Sequence, residues 1–198
     1  ITLIFSIDRR NITDYFKIIK ISLDRCLMHH ISVKVDYKES PAGCGRYESL
    51  QLKGKTTNEG AGNKMKMTTE EAFVKVLQMH GIEHAFGIIG SAMMPISDLF
   101  PKAGISFWDC GHECNAGMMA DGFTRTSGKM SMMVAQNGPG ITNFVTPVKT
   151  AYWNHTPLLL VTPQAANMSM GQGGFQEVPQ MSLFEDMVAY QEEVLHPS

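Results

Sequence analysis

From Thr68 onward the apolar positions alternate between a helical and an extended period. Thr68-Thr-Glu-Glu71 sets a threonine three residues before a glutamate, a capping box. It opens a run with Ala72, Phe73, Val76, Leu77 and Met79 on one helical face, and Gly81 supplies the stop. Residues 84–89 form a short apolar block that predicts a buried strand, and 95–102 a helix with proline in its first turn. The pattern then predicts a strand over 105–110, a helix over 113–127 and a strand over 130–135. A tight turn at Asn137-Gly-Pro-Gly140 leads into a helix over 141–152 and a fully apolar strand over 157–162. Strands alternating with helices at this spacing imply an α/β fold, a parallel sheet with helices on both faces. Ligands of such sheets sit beyond the carboxyl ends of the strands, here residues 87–90, 110–113, 136–140 and 162–164.

The first 64 residues read differently. Residues 1–31 show no sustained period, and 40–63 are rich in Gly, Ser, Thr, Lys and Asn, which predicts a low-order extension. Up to Lys64 there are 11 Lys and Arg against 7 Asp and Glu, whereas from Met65 there are 6 against 12. Of the 15 methionines, 14 fall at or after Met65. Both shifts place a boundary near Met65. Glu59-Gly-Ala-Gly-Asn-Lys-Met65 requires purine-rich codons that could hold a ribosome-binding sequence ahead of Met65 or Met67, so residues 1–64 read as a translated leader or an extension. A basic arm for nucleic acid is the competing reading, but no stripe of aromatic and arginine residues supports it. The start at Ile1 and the stop at Leu195-His-Pro-Ser198 predict a domain, 65–198, truncated at its C-terminus. A missing final helix would leave one sheet face bare.

Composition narrows the class. At 198 residues, 43% hydrophobic, 18% charged and net charge −2, this is the profile of a globular chain rather than a disordered or fibrous one. No apolar run reaches the ~18 residues of a membrane span, and residues 1–7 lack a signal peptide's basic flank and cleavage site. A cytoplasmic protein without membrane or nucleic-acid partners is therefore expected. The four cysteines, at 26, 44, 110 and 114, are too unevenly spaced for a disulfide framework.

Candidate chemistry lies at the predicted strand ends. Cys110-Gly-His-Glu-Cys114 brings thiols and an imidazole together, but it lacks a second ligand pair for structural zinc, and Ala116 stands where a zincin motif needs histidine. No metal ligands are assigned. Glu113 stands where a strand becomes a helix, so its carboxylate is desolvated unless partnered; an ordinary helix N-terminal acid is the plain alternative. Gly138-Pro-Gly140 lets backbone approach a flat ligand, with Asn143 close by to fix the local geometry. The segment has no Gly-Lys-Ser/Thr and no GxGxxG, so it is not a phosphate loop. Gly171-Gln-Gly-Gly-Phe-Gln176 adds a mobile polar loop whose Phe175 and Gln176 could face a substrate, or a surface linker.

Five stretches together carry a resemblance: Phe86-Gly-Ile-Ile-Gly-Ser-Ala-Met-Met-Pro95, His112-Glu-Cys-Asn-Ala-Gly-Met-Met-Ala-Asp-Gly-Phe123, Asn137-Gly-Pro-Gly-Ile-Thr-Asn143, Pro157-Leu-Leu-Leu-Val-Thr-Pro163 and Gly174-Phe-Gln-Glu177. With them, residues 65–198 resemble the N-terminal pyrimidine-binding domain of thiamine diphosphate enzymes of the acetolactate synthase type. His112-Glu-Cys-Asn115 and Tyr152-Trp-Asn-His155 are most similar to the sulfoacetaldehyde acetyltransferase branch of that family. The resemblance implies that Glu113 is the catalytic residue, hydrogen-bonding the cofactor's pyrimidine nitrogen and favouring the imino tautomer that takes the thiazolium C2 proton. It places Gly138, Pro139 and Asn143 beside the pyrimidine ring, and Ser91, Phe175 and Gln176 on the substrate side. It implies thiamine diphosphate and Mg as cofactors, sulfoacetaldehyde and phosphate as substrates, and acetyl phosphate and sulfite as products. A homodimer or tetramer is implied for the full-length form.

The family's diphosphate and magnesium motif, Gly-Asp-Gly followed by paired asparagines, does not occur in this sequence, so a fragment inactive by itself is expected. Two further functions stay open at this point: acetolactate synthase or another enzyme processing 2-oxo acids, which would share Glu113, and a non-catalytic dimerisation or binding module.

Overall fold

Local chemistry sets most of the element boundaries. The structure is a computed structural model and describes residues 2–6, 68–166 and 168–194. Its first half runs β1 (Thr2–Ser6), α1 (Thr69–Met79), β2 (His84–Gly87), α2 (Met94–Ser97), a 3-10 turn (Pro101–Ala103), β3 (Ser106–Asp109) and α3 (Glu113–Ser127). It continues with β4 (Ser131–Val134), α4 (Pro139–Thr142), α5 (Val145–Trp153), β5 (Leu158–Thr162), α6 (Gln180–Phe184) and β6 (Tyr190–Glu193).

The capping box forms as the sequence predicts. Thr68 Oγ1 accepts from Glu71 N at 3.2 Å, and Glu71 Oε2 accepts from Thr68 N at 2.8 Å. At the other end of α1, Gly81 adopts φ +70°, with Gly81 N donating to Gln78 O at 3.0 Å and Ile82 N to Leu77 O at 3.1 Å. That is a Schellman ending, and it returns Ile82 to the core beside Leu77.

Two predicted helices are each broken in two, and proline explains both. The helix expected over 95–102 is α2 followed by the 3-10 turn, because Pro101 has no N–H for the carbonyl of Ser97. The helix expected over 141–152 is α4 followed by α5, because Pro147 has none for the carbonyl of Asn143. Asn143 thus stands at the joint between two helices rather than in the first turn of one.

The sheet order is β3-β2-β4-β5-β1-β6. The pairs β2–β3, β2–β4 and β4–β5 are parallel. Residue parity divides the two faces. Ala85, Met132, Val134, Leu159 and Val161 pack with Phe73 and Leu77 of α1 and Ile96 of α2. Phe86, Met133, Leu158 and Leu160 pack with Ala116 and Ala120 of α3 and Val148 of α5. Both β4 and β5 are buried at every position, as strands covered on both sides must be. Gly117 lets α3 and α5 cross closely, since a Cβ there would lie 2.4 Å from Pro147 Cγ.

Two expectations about the chain's flanks need correction. Residues 2–6, expected to lack order, form β1, which pairs antiparallel with β5 and with β6; residues 7–67, where the leader reading and the Met65 boundary fall, lie outside the described residues. The sheet is therefore parallel in four strands and antiparallel at one side. Nor is β5 bare, for α6 places the fully buried Phe184 against the α3 and α5 core. Among the described residues no helix is long and apolar enough to cross a membrane.

β2 connects outward to β3, while the chain returns from β3 through α3 to β4 on the other side of β2. The order reverses between β2 and β4, and a crevice opens beyond their carboxyl ends. Residues 87–91 and 136–143 meet there.

Candidate functional site

α3 begins at this crevice. His112 is extended, at φ −159°, and its Nδ1 accepts from Cys114 N at 3.1 Å, so an imidazole fills the place where serine or aspartate usually caps. Accepting at Nδ1 puts the ring proton on Nε2. Glu113 is the first residue of the helix and is buried, at 9% exposure. The positive end of the helix dipole favours a carboxylate there, and a specific partner completes it: Asn143 Nδ2 donates to Glu113 Oε2 at 2.8 Å. The second oxygen, Oε1, would lie 3.3 Å from a Cβ built on Gly140 and has no hydrogen-bond partner among the described residues. One oxygen is fixed and the other is free to share a single proton or hydrogen bond with a ligand.

The turn that supplies Asn143 starts at Gly138, whose φ of +73° and ψ of −124° suit glycine alone. A Cβ at Gly138 would also stand 2.7 Å from the backbone oxygen of Gln176. Pro139, exposed, opens α4. Glu113, after β3, and the turn of Gly138, Pro139 and Asn143, after β4, are thus brought together through the Asn143–Glu113 bond.

Gln176 is joined to the same place. Asn137 Nδ2 donates to Gln176 O at 2.9 Å, and Gln136 Nε2 donates to Asn137 Oδ1 at 2.8 Å and to Gln176 Oε1 at 3.3 Å. Gln176 itself is left-handed, at φ +61°. The next residue, Glu177, accepts from the backbone N–H groups of Gly171 and, at 3.0 Å, Gly174. These backbone donors, Gly171 first, hold its carboxyl below the usual carboxylate range. The loop expected to be mobile is therefore tied at its glycines and at the sheet, while Phe175 stays 90% exposed.

Ser91 is exposed in the loop after β2, where its carbonyl accepts from Met94 N at 3.4 Å, and no contact joins it to Glu113. Its neighbour Gly90 does reach the cluster, for a Cβ there would lie 2.3 Å from Gln136 Oε1. The thiol of Cys110 contacts Trp108 O at 3.7 Å and Met119 Sδ at 3.6 Å, and burial, with the Asp109 carboxylate adding, pushes its pKa up. Sequence reasoning missed the side chains of Gln136 and Asn137, while Gly140, read there as part of a close backbone approach, stands beside Glu113. The available signal was a polar residue ending the buried run Ser131-Met-Met-Val-Ala-Gln136 at a ligand-binding strand end.

A parallel sheet carries, where its strand order reverses, a buried, half-partnered carboxylate beside a glycine-rich turn. A family model described as the thiamine pyrophosphate enzyme, N-terminal TPP binding domain, matches residues 67–183, and the chain belongs to that family. The unpartnered Oε1 of Glu113, which a side chain at Gly140 would crowd, fits a hydrogen bond to the pyrimidine ring of thiamine diphosphate. Over 134 residues, 68% of this chain and 22% of the relative, the sequence is 82% identical to the sulfoacetaldehyde acetyltransferase of Roseovarius nubinhibens. Identity to the acetolactate synthase of Arthrospira platensis is 34% over 137 residues, 67% of this chain and 24% of that protein. A thiamine diphosphate-dependent 4-hydroxybenzoylformate decarboxylase of Rhodococcus jostii RHA1 has the same fold. Its TM-score is 0.59 at 22% identity over 62% of this chain and 23% of that one. The chain thus spans under a quarter of the length of these two curated relatives.

Proposed function

We propose that the chain is the pyrimidine-binding part of an enzyme that converts sulfoacetaldehyde and phosphate to acetyl phosphate and sulfite. The observation that carries this is the 82% identity to a sulfoacetaldehyde acetyltransferase over 134 residues, against 34% to an acetolactate synthase over 137 residues. Thiamine diphosphate, when bound, supplies the carbanion chemistry at its thiazolium ring that no side chain provides.

The chain's own residues do the rest. Glu113 Oε1 shares a proton with the pyrimidine ring nitrogen, and Asn143 holds Oε2 so that the carboxyl group cannot rotate away. Gly138 and Gly140 keep side chains out of the ring's path, and Pro139 fixes the start of the helix that delivers Asn143. Ser91, Phe175 and Gln176 face the aldehyde. Mg and the diphosphate are held outside this chain, by the rest of a cytoplasmic homodimer or tetramer.

The test is product analysis of the full-length protein that contains this chain, loaded with thiamine diphosphate and Mg. Phosphate-dependent release of sulfite with formation of acetyl phosphate is expected. Formation of acetolactate from pyruvate, without sulfite release from sulfoacetaldehyde, would replace the reading with the synthase one.

A further inference from the structure

The amide chain at the end of β4 has a direction that one atom fixes. The backbone oxygen of Gln176 can only accept, so Asn137 must turn Nδ2 toward it, as the 2.9 Å contact has it. That leaves Oδ1 of Asn137 on the other side as an acceptor, and Gln136 must meet it with Nε2, at 2.8 Å. The second proton of the same Nε2 then points to Gln176 Oε1 at 3.3 Å. Turning the Gln176 amide around would set its NH2 against the NH2 of Gln136, donor against donor. The NH2 group of Gln176 is therefore directed away from Gln136, and it has no partner among the described residues.

Two further features support this arrangement. Gln136 Oε1 is buried against Gly90 without a partner, which is unfavourable by itself; reversing Gln136 would bring two oxygens together at Asn137. The main chain of Gln176 is also held from outside, since Glu177 binds the amides of Gly171 and Gly174 and leaves Gln176 at φ +61° with its carbonyl inward.

We propose that Gln136 and Asn137 are positioning residues that lock the Gln176 amide with its NH2 group outward, as a donor for the tetrahedral oxyanion of a substrate. The substrate rests on the acetyltransferase reading, which provides two such groups, the sulfonate of sulfoacetaldehyde and inorganic phosphate. The sulfonate presents only acceptor oxygens, which an outward carbonyl would repel, and phosphate presents mostly acceptor oxygens, for which an outward NH2 is the better partner.

The experiment uses the full-length holoenzyme. Gln136→Glu can donate neither to Asn137 Oδ1 nor to Gln176 Oε1, so the lock is lost and the Gln176 amide reverses toward the new carboxylate and presents its oxygen outward. The KM for the oxyanion substrate that Gln176 contacts should rise about tenfold or more, the loss of a hydrogen bond to a charged group. The affinity for thiamine diphosphate and the KM of the other substrate should stay within about twofold. A rise for sulfoacetaldehyde assigns the contact to the sulfonate, and a rise for phosphate assigns it to phosphate. Gln136→Met removes the donor without adding charge and should give a smaller rise on the same substrate, which keeps the test open should Gln136→Glu fold poorly. Unchanged KM values in both variants, or equal losses for both substrates and the cofactor, would overturn the proposal. Calorimetric titration with methanesulfonate and with phosphate, comparing the unsubstituted protein with Gln136→Met, reads the same contact without turnover. It separates failure of the inference from failure of the acetyltransferase reading.

Discussion

Two segments build the crevice, and they are held in opposite ways. The turn from Asn137 to Asn143 is short and closes on itself: Thr142 N donates to Gly138 O at 3.2 Å and Asn143 N to Pro139 O at 3.3 Å, while Ile141 is fully buried beneath. The loop over 163–179 is closed by side-chain amides at its neck, Gln180 Nε2 to Pro163 O at 2.8 Å and Gln164 Nε2 to Val178 O at 3.2 Å. At its tip Met168 and Phe175 are 92% and 90% exposed. The turn carries the atom whose position the chemistry needs fixed, Asn143 against Glu113. The loop keeps Phe175 exposed while Asn137 fixes the carbonyl of the next residue, Gln176. Under the proposed function, the turn holds the carboxylate that shares a proton, and the loop, tied to the sheet through Asn137, holds Gln176 for the substrate.

The largest expected effect tests the rigid side. In the full-length protein Glu113→Gln should keep the fold and lower the rate of sulfite release by about 10² to 10⁴, because an amide cannot hold the proton that the carboxyl shares. A wild-type rate would reduce Glu113 to a helix-terminal acid and remove the contrast between the two segments.

Gly138→Ala acts where the segments touch. The new methyl group would lie 2.7 Å from a backbone oxygen at φ +73°, so both the turn and the loop must shift. Urea unfolding should show a loss of about 1–3 kcal/mol. An unchanged midpoint would mean that the loop is not seated on the turn.

The smallest effect belongs to the loop alone. The Glu177 carboxyl, held below the usual range by the Gly171 and Gly174 amides, stabilises the loop fully above the ordinary carboxyl pKa of about 4.3. That contribution is lost only as pH falls through its lower folded value. The amide signals of Gly171 and Gly174 should therefore keep their positions down to about pH 4.3 and move below it. Movement centred at or above that pH would show that the carboxylate does not organise the loop.

The sequence by itself determined whatever one residue and its near neighbours settle. The α1 capping box needs residues three apart, and α3 was bounded correctly at Glu113 and Ser127 because a capping position precedes it and Gly128 takes the left-handed ending. The five motif stretches lie within the 67–183 match that defines the family. The proline breaks were also local, since Pro101 and Pro147 each disable a carbonyl four residues back, and they were legible once the missing N–H is counted. Only the tertiary structure decided the rest. The pairing of β1 with β5 joins the chain's start to residue 162, and no pattern within residues 1–31 signals a partner that distant. Glu113 and Asn143 stand thirty positions apart, and Gln136 and Asn137 reach Gln176 across forty and thirty-nine. Such bonds exist because the reversal of strand order between β2 and β4 brings separate strand ends to one crevice. The direction of an amide there is set by which of its neighbours can only accept, a property of the assembled group that no single residue carries.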